Sequence, residues 1–294
     1  RVALAFRSSD IGVVSMPLDP AQKAAELRRE GPGLKVCILG GTSFQGTYSE
    51  ELTKQVAQQL HRALGNRAVF VTGGLAGVQE TFAKHCGDGS RVWNLMPDGG
   101  KCAYTVGKNL HAGADMAERK AVFARLGDVY ITVEGGPGVA EEARIAFSRG
   151  AVVVPLMRTG GASSGMFDFP AGALKKPVFA SEEQWDLLSG KASPPGWQSA
   201  AAAAVVALVL GSQSMNTAQS RYRPGSRVDR QEAERMQRLT LAMGSSQALP
   251  WLAPYLERFG PAVEEGNRIL SVVGPYVYTF YSALYTGYKA LPKD

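Results

Sequence analysis

The chain has 294 residues, 45% of them apolar and 20% charged, which is room and apolar material for one α/β domain plus an appendage and excludes wholesale disorder. Its net charge of +6 admits contact with nucleotides or anionic lipid. No basic stretch is interleaved with aromatics as in nucleic-acid modules, so nucleic acid is not expected as a partner.

The chain opens at Arg1 without an initiator Met, which reads as a processed or trimmed end. Residues 1–34 read as an arm lying on the domain. Within it, residues 19–30 carry helix signals: Pro20 near the first helical position and Gly31-Pro32-Gly33 as the stop. Residues 35–41 (KVCILGG) are a continuous apolar run ending in glycines, as the first strand of a parallel sheet does. Residues 50–64 then space Leu52, Val56, Leu60 and Leu64 along one helical face.

A second strand, residues 68–72, runs into Gly73, Gly74 and Gly77. A third is expected at residues 91–96, closed by Pro97, a fourth at residues 128–133 (DVYITV) and a fifth at residues 151–156. Strand, glycine turn and helix recur, which predicts an α/β doubly wound, mostly parallel, Rossmann-like sheet over residues 35–211. Its ligand crevice should lie beyond the carboxyl ends of the strands.

The fourth strand is broken by Glu134-Gly135-Gly136-Pro137-Gly138, and the helix after it puts Val139, Ala143, Ala146 and Phe147 on one face. Glycines let the backbone approach a ligand, and the unpaired N–H groups of the next helical turn face the gap. That arrangement is a seat for phosphate or carboxylate, with an ordinary strand-to-helix turn as the plainer alternative.

These residues resemble the LOG family, earlier described as lysine decarboxylase-like and known as cytokinin-activating phosphoribohydrolases. Gly135, Gly136, Gly138 and Glu142 match its hallmark P-G-G-x-G-T-x-x-E, and Met116, Arg119 and Lys120 match the M-x-x-R-K upstream. Two positions depart: Glu134 stands for Pro and Val139 for Thr, which removes a phosphate contact and adds negative charge beside the seat. Gly40, Gly41 and Ser43 resemble the family's first nucleotide-contact turn, and Gly73, Gly74 and Gly77 its second. In that second turn Thr72 replaces a Gly and Gln79-Glu80 replace Met-Gly. Gly165-Met166-Phe167-Asp168 loosely resembles a late G-Y-Y-D element.

The resemblance covers residues 35–179. It implies a nucleoside monophosphate as the ligand, no other cofactor and no metal, held by Gly41, Ser43, Gly73, Gly74, Lys120, Gly135, Gly136, Gly138 and Val139. Where chemistry survives, Arg119 assists departure of the base, and Glu142 orients water or stabilises the ribose cation as the N-glycosidic bond is hydrolysed. The plainer roles are a carboxylate compensating the helix N-terminus and its salt-bridge partner. A homodimer is a further implication.

Other polar groups are less suggestive. His61, His85 and His111 lack metal-ligand spacing, and Cys37, Cys86 and Cys102 form neither a disulfide framework nor a zinc signature, which fits a reducing compartment. The loop at residues 158–165 (RTGGASSG) closes over a ligand or simply connects.

Beyond it, residues 181–188 read as a helix with Ser181 and Gln184 as a capping box. Residues 199–211 are apolar but shorter than the ~20 that cross a bilayer, so they read as a buried helix finishing the domain. Residues 212–250 are read as linker, from Gln213 to Val228, followed by a charged helix at residues 229–242, and residues 251–294 as a membrane-associated tail. Its core, residues 269–288 (ILSVVGPYVYTFYSALYTGY, Ile269 first and Tyr288 last), carries no charge and just matches a hydrocarbon span. Lipid and subunits of a membrane complex are its expected partners, with a buried soluble helix as the alternative.

Three functions stand open: an accessory subunit of a membrane complex, an active phosphoribohydrolase and a nucleotide sensor. VEGGPGVAEEARIAFSRG and RTGGASSGMFDF resemble nucleus-encoded plastid proteins of algae. That resemblance implies the thylakoid membrane, a photosystem supercomplex and a domain on the stromal side, against a soluble cytoplasmic or stromal alternative.

Overall fold

Six parallel strands form one sheet in the computed structural model, which describes residues 18–87, 89–177 and 179–221. They are β1 (Leu34–Gly40), β2 (Ala68–Thr72), β3 (Val92–Met96), β4 (Lys108–His111), β5 (Val129–Val133) and β6 (Val152–Leu156), in the order β4-β3-β2-β1-β5-β6. The chain steps outward from β1 to β4, then returns to the other side of β1 with β5 and β6. Val36 therefore pairs with Phe70 on one side and Val129 on the other. Where the winding reverses, between β1 and β5, the connections leave to opposite faces and a crevice opens at the carboxyl ends.

Alternation within β1 assigns the two faces. Val36 and Ile38 pack with α2 (Ser49–Leu64), α3 (Val78–His85), α6 (Glu182–Ser189) and α7 (Trp197–Arg221), through Leu52, Val56, Leu60, Phe82, Leu188 and Val205. Cys37 and Leu39 pack with α1 (Pro20–Glu30), α4 (Met116–Leu126) and α5 (Pro137–Ser148), through Leu27, Val122, Phe123, Ala143 and Ala146. Both faces of the central strands are covered, which is why they read as unbroken apolar runs. The chain divides into two compact units, residues 1–210 and 211–294, and the sheet belongs to the first.

The expected strands and helices fall within a residue or two of their predicted bounds, with several differences. Strand β4 was not anticipated: only Leu110 of its four residues is buried, so this edge strand has neither the length nor the alternation that marks a strand in sequence. Helix α1 is more than an arm, since Ala24 and Leu27 sit in the core against α4; its Asp19 cap accepts from Ala21 N at 2.9 Å. Phe147 is 40% exposed, at the margin of the α5 face instead of within it. Ser181 and Gln184 do form the capping box.

Helix α7 continues through Gly211 to Arg221, so the stretch read as the start of a linker at Gln213 is helical. No proline interrupts it before Pro224, and its alanine-rich sequence favours continuation. The remainder of the expected linker, the charged helix at residues 229–242 and the uncharged run at residues 269–288 lie outside the described residues. Among the described residues no helix is long and apolar enough to cross a membrane.

Candidate functional site

At the reversal point a cavity of about 300 Å³ is lined by Gly41, Thr42, Ser43 and Gln45 after β1, Glu134, Gly135 and Gly136 after β5, and Thr159 and Gly161 after β6. Gly135 has φ +94°, and a Cβ there would meet the Val139 side chain at 2.6 Å, so glycine alone lets the chain turn from β5 into α5. Helix α5 begins on Pro137. Among the described residues the N–H groups of Gly136 and Gly138 find no protein acceptor, as expected of a first helical turn.

Glu134 precedes that turn and lines the same cavity as Gly135 and Gly136. It is buried, with φ +51°, and its side chain folds back toward the loop after β1. There Oε1 accepts from Gly46 N at 2.7 Å and Oε2 from Gln45 N at 2.9 Å. Its own N–H donates to Thr159 Oγ1 at 2.7 Å, and its carbonyl accepts from Ser163 N and Oγ at 3.1 and 2.9 Å. One left-handed residue thus clamps three loops. The segment after β6 is fastened by the same bonds and by Ala162 N to Gly135 O at 2.8 Å, which makes it a wall of the crevice.

A second cluster lies deeper. Asp115 caps α4 by accepting from Ala117 N and Glu118 N, which sets the first turn, from which Arg119 reaches the carboxyl ends of β2 and β3. The Arg119 guanidinium donates from Nε to Leu95 O at 2.9 Å and from Nη1 to Glu142 Oε1 at 2.8 Å, and stacks 4.7 Å from the Phe123 ring centre. Its Nη2 is buried without an acceptor among the described residues. That nitrogen lies against Gly73, where a Cβ would sit 1.4 Å away, so no larger residue fits while the guanidinium keeps its place.

Both partners of the pair are nearly inaccessible, at 2% and 6% side-chain exposure. Burial pushes the Glu142 carboxyl up to about 7, against the attraction of Arg119 and Lys120. It also draws the Arg119 pKa down, with Glu142 acting in the opposite sense.

The turn after β2 is organised by residues that the sequence marked only as departures. Gln79 Oε1 accepts from Gly73 N at 2.8 Å and Leu75 N at 3.2 Å. Thr72 Oγ1 accepts from Gly74 N at 3.2 Å and joins Asn94 and Tyr104 in a buried network, with oxygen separations of 2.8 and 2.5 Å. Burial pushes the Tyr104 phenol pKa up. Polar side chains at these two positions therefore fix the glycine turn by hydrogen bonds; nothing in their sequence pattern showed which backbone groups they would meet.

The expected ligand residues fall into three groups. Gly41, Ser43, Gly135 and Gly136 converge on the cavity. Gly73, Arg119 and Glu142 form the deeper cluster, with Gly74 on the same turn against Met96 and Cys102; neither Arg119 nor Glu142 lines the 300 Å³ cavity. Lys120 lies on the outer side, its Nζ 3.5 Å from where a Gly138 Cβ would be and 3.4 Å from Glu141.

Val139 belongs to none of these groups, contrary to expectation. Its side chain packs in the core, and its N–H is spent on Gly136 O at 3.1 Å. A neighbouring cavity of about 380 Å³ shares Thr159, and in it Arg158 stacks 3.3 Å from the Trp197 ring centre while donating to Leu187 O and Ser193 Oγ. That clasp ties the wall to α7. Among the described residues no group of three or more His, Cys, Asp and Glu could hold a metal ion.

The model of the SLOG cluster4 family matches residues 33–186, just over half of the chain and the whole of this crevice. The chain belongs to that family. A cytokinin riboside 5′-monophosphate phosphoribohydrolase of Rhodococcoides fascians is 30% identical to this SLOG cluster4 chain over 129 residues, 42% of this chain and 64% of the relative. Two solved structures are more distant. The Moco carrier protein of Chlamydomonas reinhardtii is 17% identical, with 62% of this chain and 98% of that one covered and a TM-score of 0.41. DNA processing protein A of Helicobacter pylori is 19% identical, with 45% and 66% covered and a TM-score of 0.34. No activity is carried over from either.

Proposed function

We propose that the α/β domain binds a nucleoside 5′-monophosphate across the carboxyl ends of β1, β2 and β5 and hydrolyses its N-glycosidic bond to ribose 5-phosphate and free base. The observation carrying this reading is the buried Arg119–Glu142 pair, with Nη2 unpartnered beside Gly73. The phosphate rests on the free N–H groups of Gly136 and Gly138, with the Lys120 ammonium alongside.

As the C1′–N bond breaks, its electron pair leaves with the base, which takes up a proton, and positive charge spreads over C1′ and the ring oxygen. Arg119 Nη2 donates toward the departing base. Glu142, poised near neutrality by burial, stabilises the sugar cation and takes the proton from the water that adds to C1′. Family membership and the activity named for the Rhodococcoides fascians relative support this reading.

The test incubates the full chain with AMP and follows free adenine by chromatography. Release should fall by roughly 10²–10⁴-fold in Glu142→Gln. Absence of release by the unmodified chain, or undiminished release by the variant, rejects the proposal. Attachment to a thylakoid membrane complex is a separate reading, favoured only by the uncharged run at residues 269–288 and by the plastid resemblance. Carbonate extraction tests it, and full release into the supernatant rejects a spanning tail.

A further inference from the structure

We propose that Glu134 determines ligand specificity by receiving the vicinal hydroxyls of the sugar inside the 300 Å³ cavity. This inference rests on the nucleotide reading above and orients the ligand within it. Glu134 is 3% exposed, and among the described residues no Lys, Arg or His lies within ion-pair distance of its carboxylate. It is also the sole ionisable residue lining the cavity. A buried charge with no counter-ion is costly, and its compensation here comes from two backbone N–H groups alone.

Those two donors do not exhaust it. Oε1 accepts from Gly46 N and Gln45 N, whereas Oε2 accepts from Gln45 N only and keeps acceptor capacity. A Cβ on Gly41 would stand 3.6 Å from Oε2 and 2.9 Å from Ser43 O, so a side chain at this position would crowd both acceptors, and glycine keeps the Oε2 side of the cavity clear of one. The left-handed backbone at Glu134 holds the carboxylate in this position, and such strain persists where surrounding contacts enforce it, here Thr159 and Ser163.

A cavity whose only charge is negative disfavours phosphate and favours O–H or N–H donors. Two adjacent hydroxyls meet a carboxylate well. The Lys120 ammonium, paired with Glu141, stands 3.5 Å from where a Gly138 Cβ would be and does not line this cavity. The ligand therefore lies across the Gly135-Gly136 turn with its diol inward at Glu134 and its phosphate outward at the start of α5.

Calorimetric titration of the full chain with AMP and 2′,3′-dideoxy-AMP, and with adenosine and 2′,3′-dideoxyadenosine, tests the assignment. Loss of both hydroxyls should weaken binding roughly 10- to 100-fold in the unmodified chain, in both pairs. Glu134→Gln and Glu134→Gly should bind the paired ligands alike; the glycine variant also relieves the left-handed strain, so a folding defect shared by both variants is not expected. Equal binding of diol and dideoxy ligands by the unmodified chain overturns the inference, as does tighter AMP binding by the variants or no binding of any of the four. Diol-dependent adenosine binding without AMP hydrolysis would sustain this inference while the hydrolase reading fails.

Discussion

Replacing Glu142 by Gln keeps its shape and removes the charge facing Arg119. Because burial holds the folded carboxyl at about 7, Glu142 is already neutral at pH 5, and the variant should match the unmodified chain there to within about 1 kcal/mol. At pH 8 it is spared a buried carboxylate and should be the more stable of the two by about 3 kcal/mol. Arg119→Met instead strands the carboxylate 2.8 Å from its lost partner and should cost about 3–5 kcal/mol at pH 8. The double variant Arg119→Met/Glu142→Leu, which removes both charges, should recover most of the stability and remain inactive.

The pH dependence follows from the carboxyl being raised in the folded state. Its contribution is fully present below the unfolded value near 4.5 and is lost as pH rises through about 7, so the unmodified chain should weaken by about 3 kcal/mol across that window. In Glu142→Gln this component of the slope should vanish. Urea unfolding of the four chains at pH 5 and pH 8 measures both effects. A loss under about 1 kcal/mol in Arg119→Met at pH 8, or single effects that simply add in the double variant, would refute a coupled buried pair.

Three further outcomes are expected. Gly73→Ala forces the guanidinium out of its place and should cost about 1–3 kcal/mol in urea unfolding, with loss of base release. Thr72→Val keeps the volume but leaves Gly74 N without its hydroxyl acceptor, a loss of about 1–3 kcal/mol readable as a lower Tm. Under native conditions a thiol reagent should modify the half-buried Cys102 before Cys37, whose thiol is enclosed and pushed up by burial; mass mapping of the singly modified chain showing Cys37 first would contradict this packing.

Much of the layer architecture was legible because its signals are local. Residues 68–72 alternate between two buried faces and are followed by Gly73 and Gly74, and Ser181 with Gln184 spells a capping box within one turn. Strand β4 was not legible, since an edge strand with one buried residue has no pattern of its own. The extent of α7 was missed because the serines and glutamines after its apolar run read as linker, although no proline stands before Pro224 to stop the helix.

The site divides along the same line. From the chain alone came a mostly parallel sheet with a glycine turn after its fourth expected strand, and Arg119, Glu142, Gly135 and Gly136 as the residues to watch, since turn chemistry and motif spacing are written within a few positions of each other. Only the tertiary structure decided that Val139 points into the core, that Arg119 spends its reach on Leu95 and Glu142 against Gly73, and that the Glu134 carboxylate meets the amides after β1. Those outcomes join groups 23 to 89 residues apart in sequence. Where a charged side chain goes is settled by the donors and acceptors that distant segments bring within 3 Å, and no local pattern contains them.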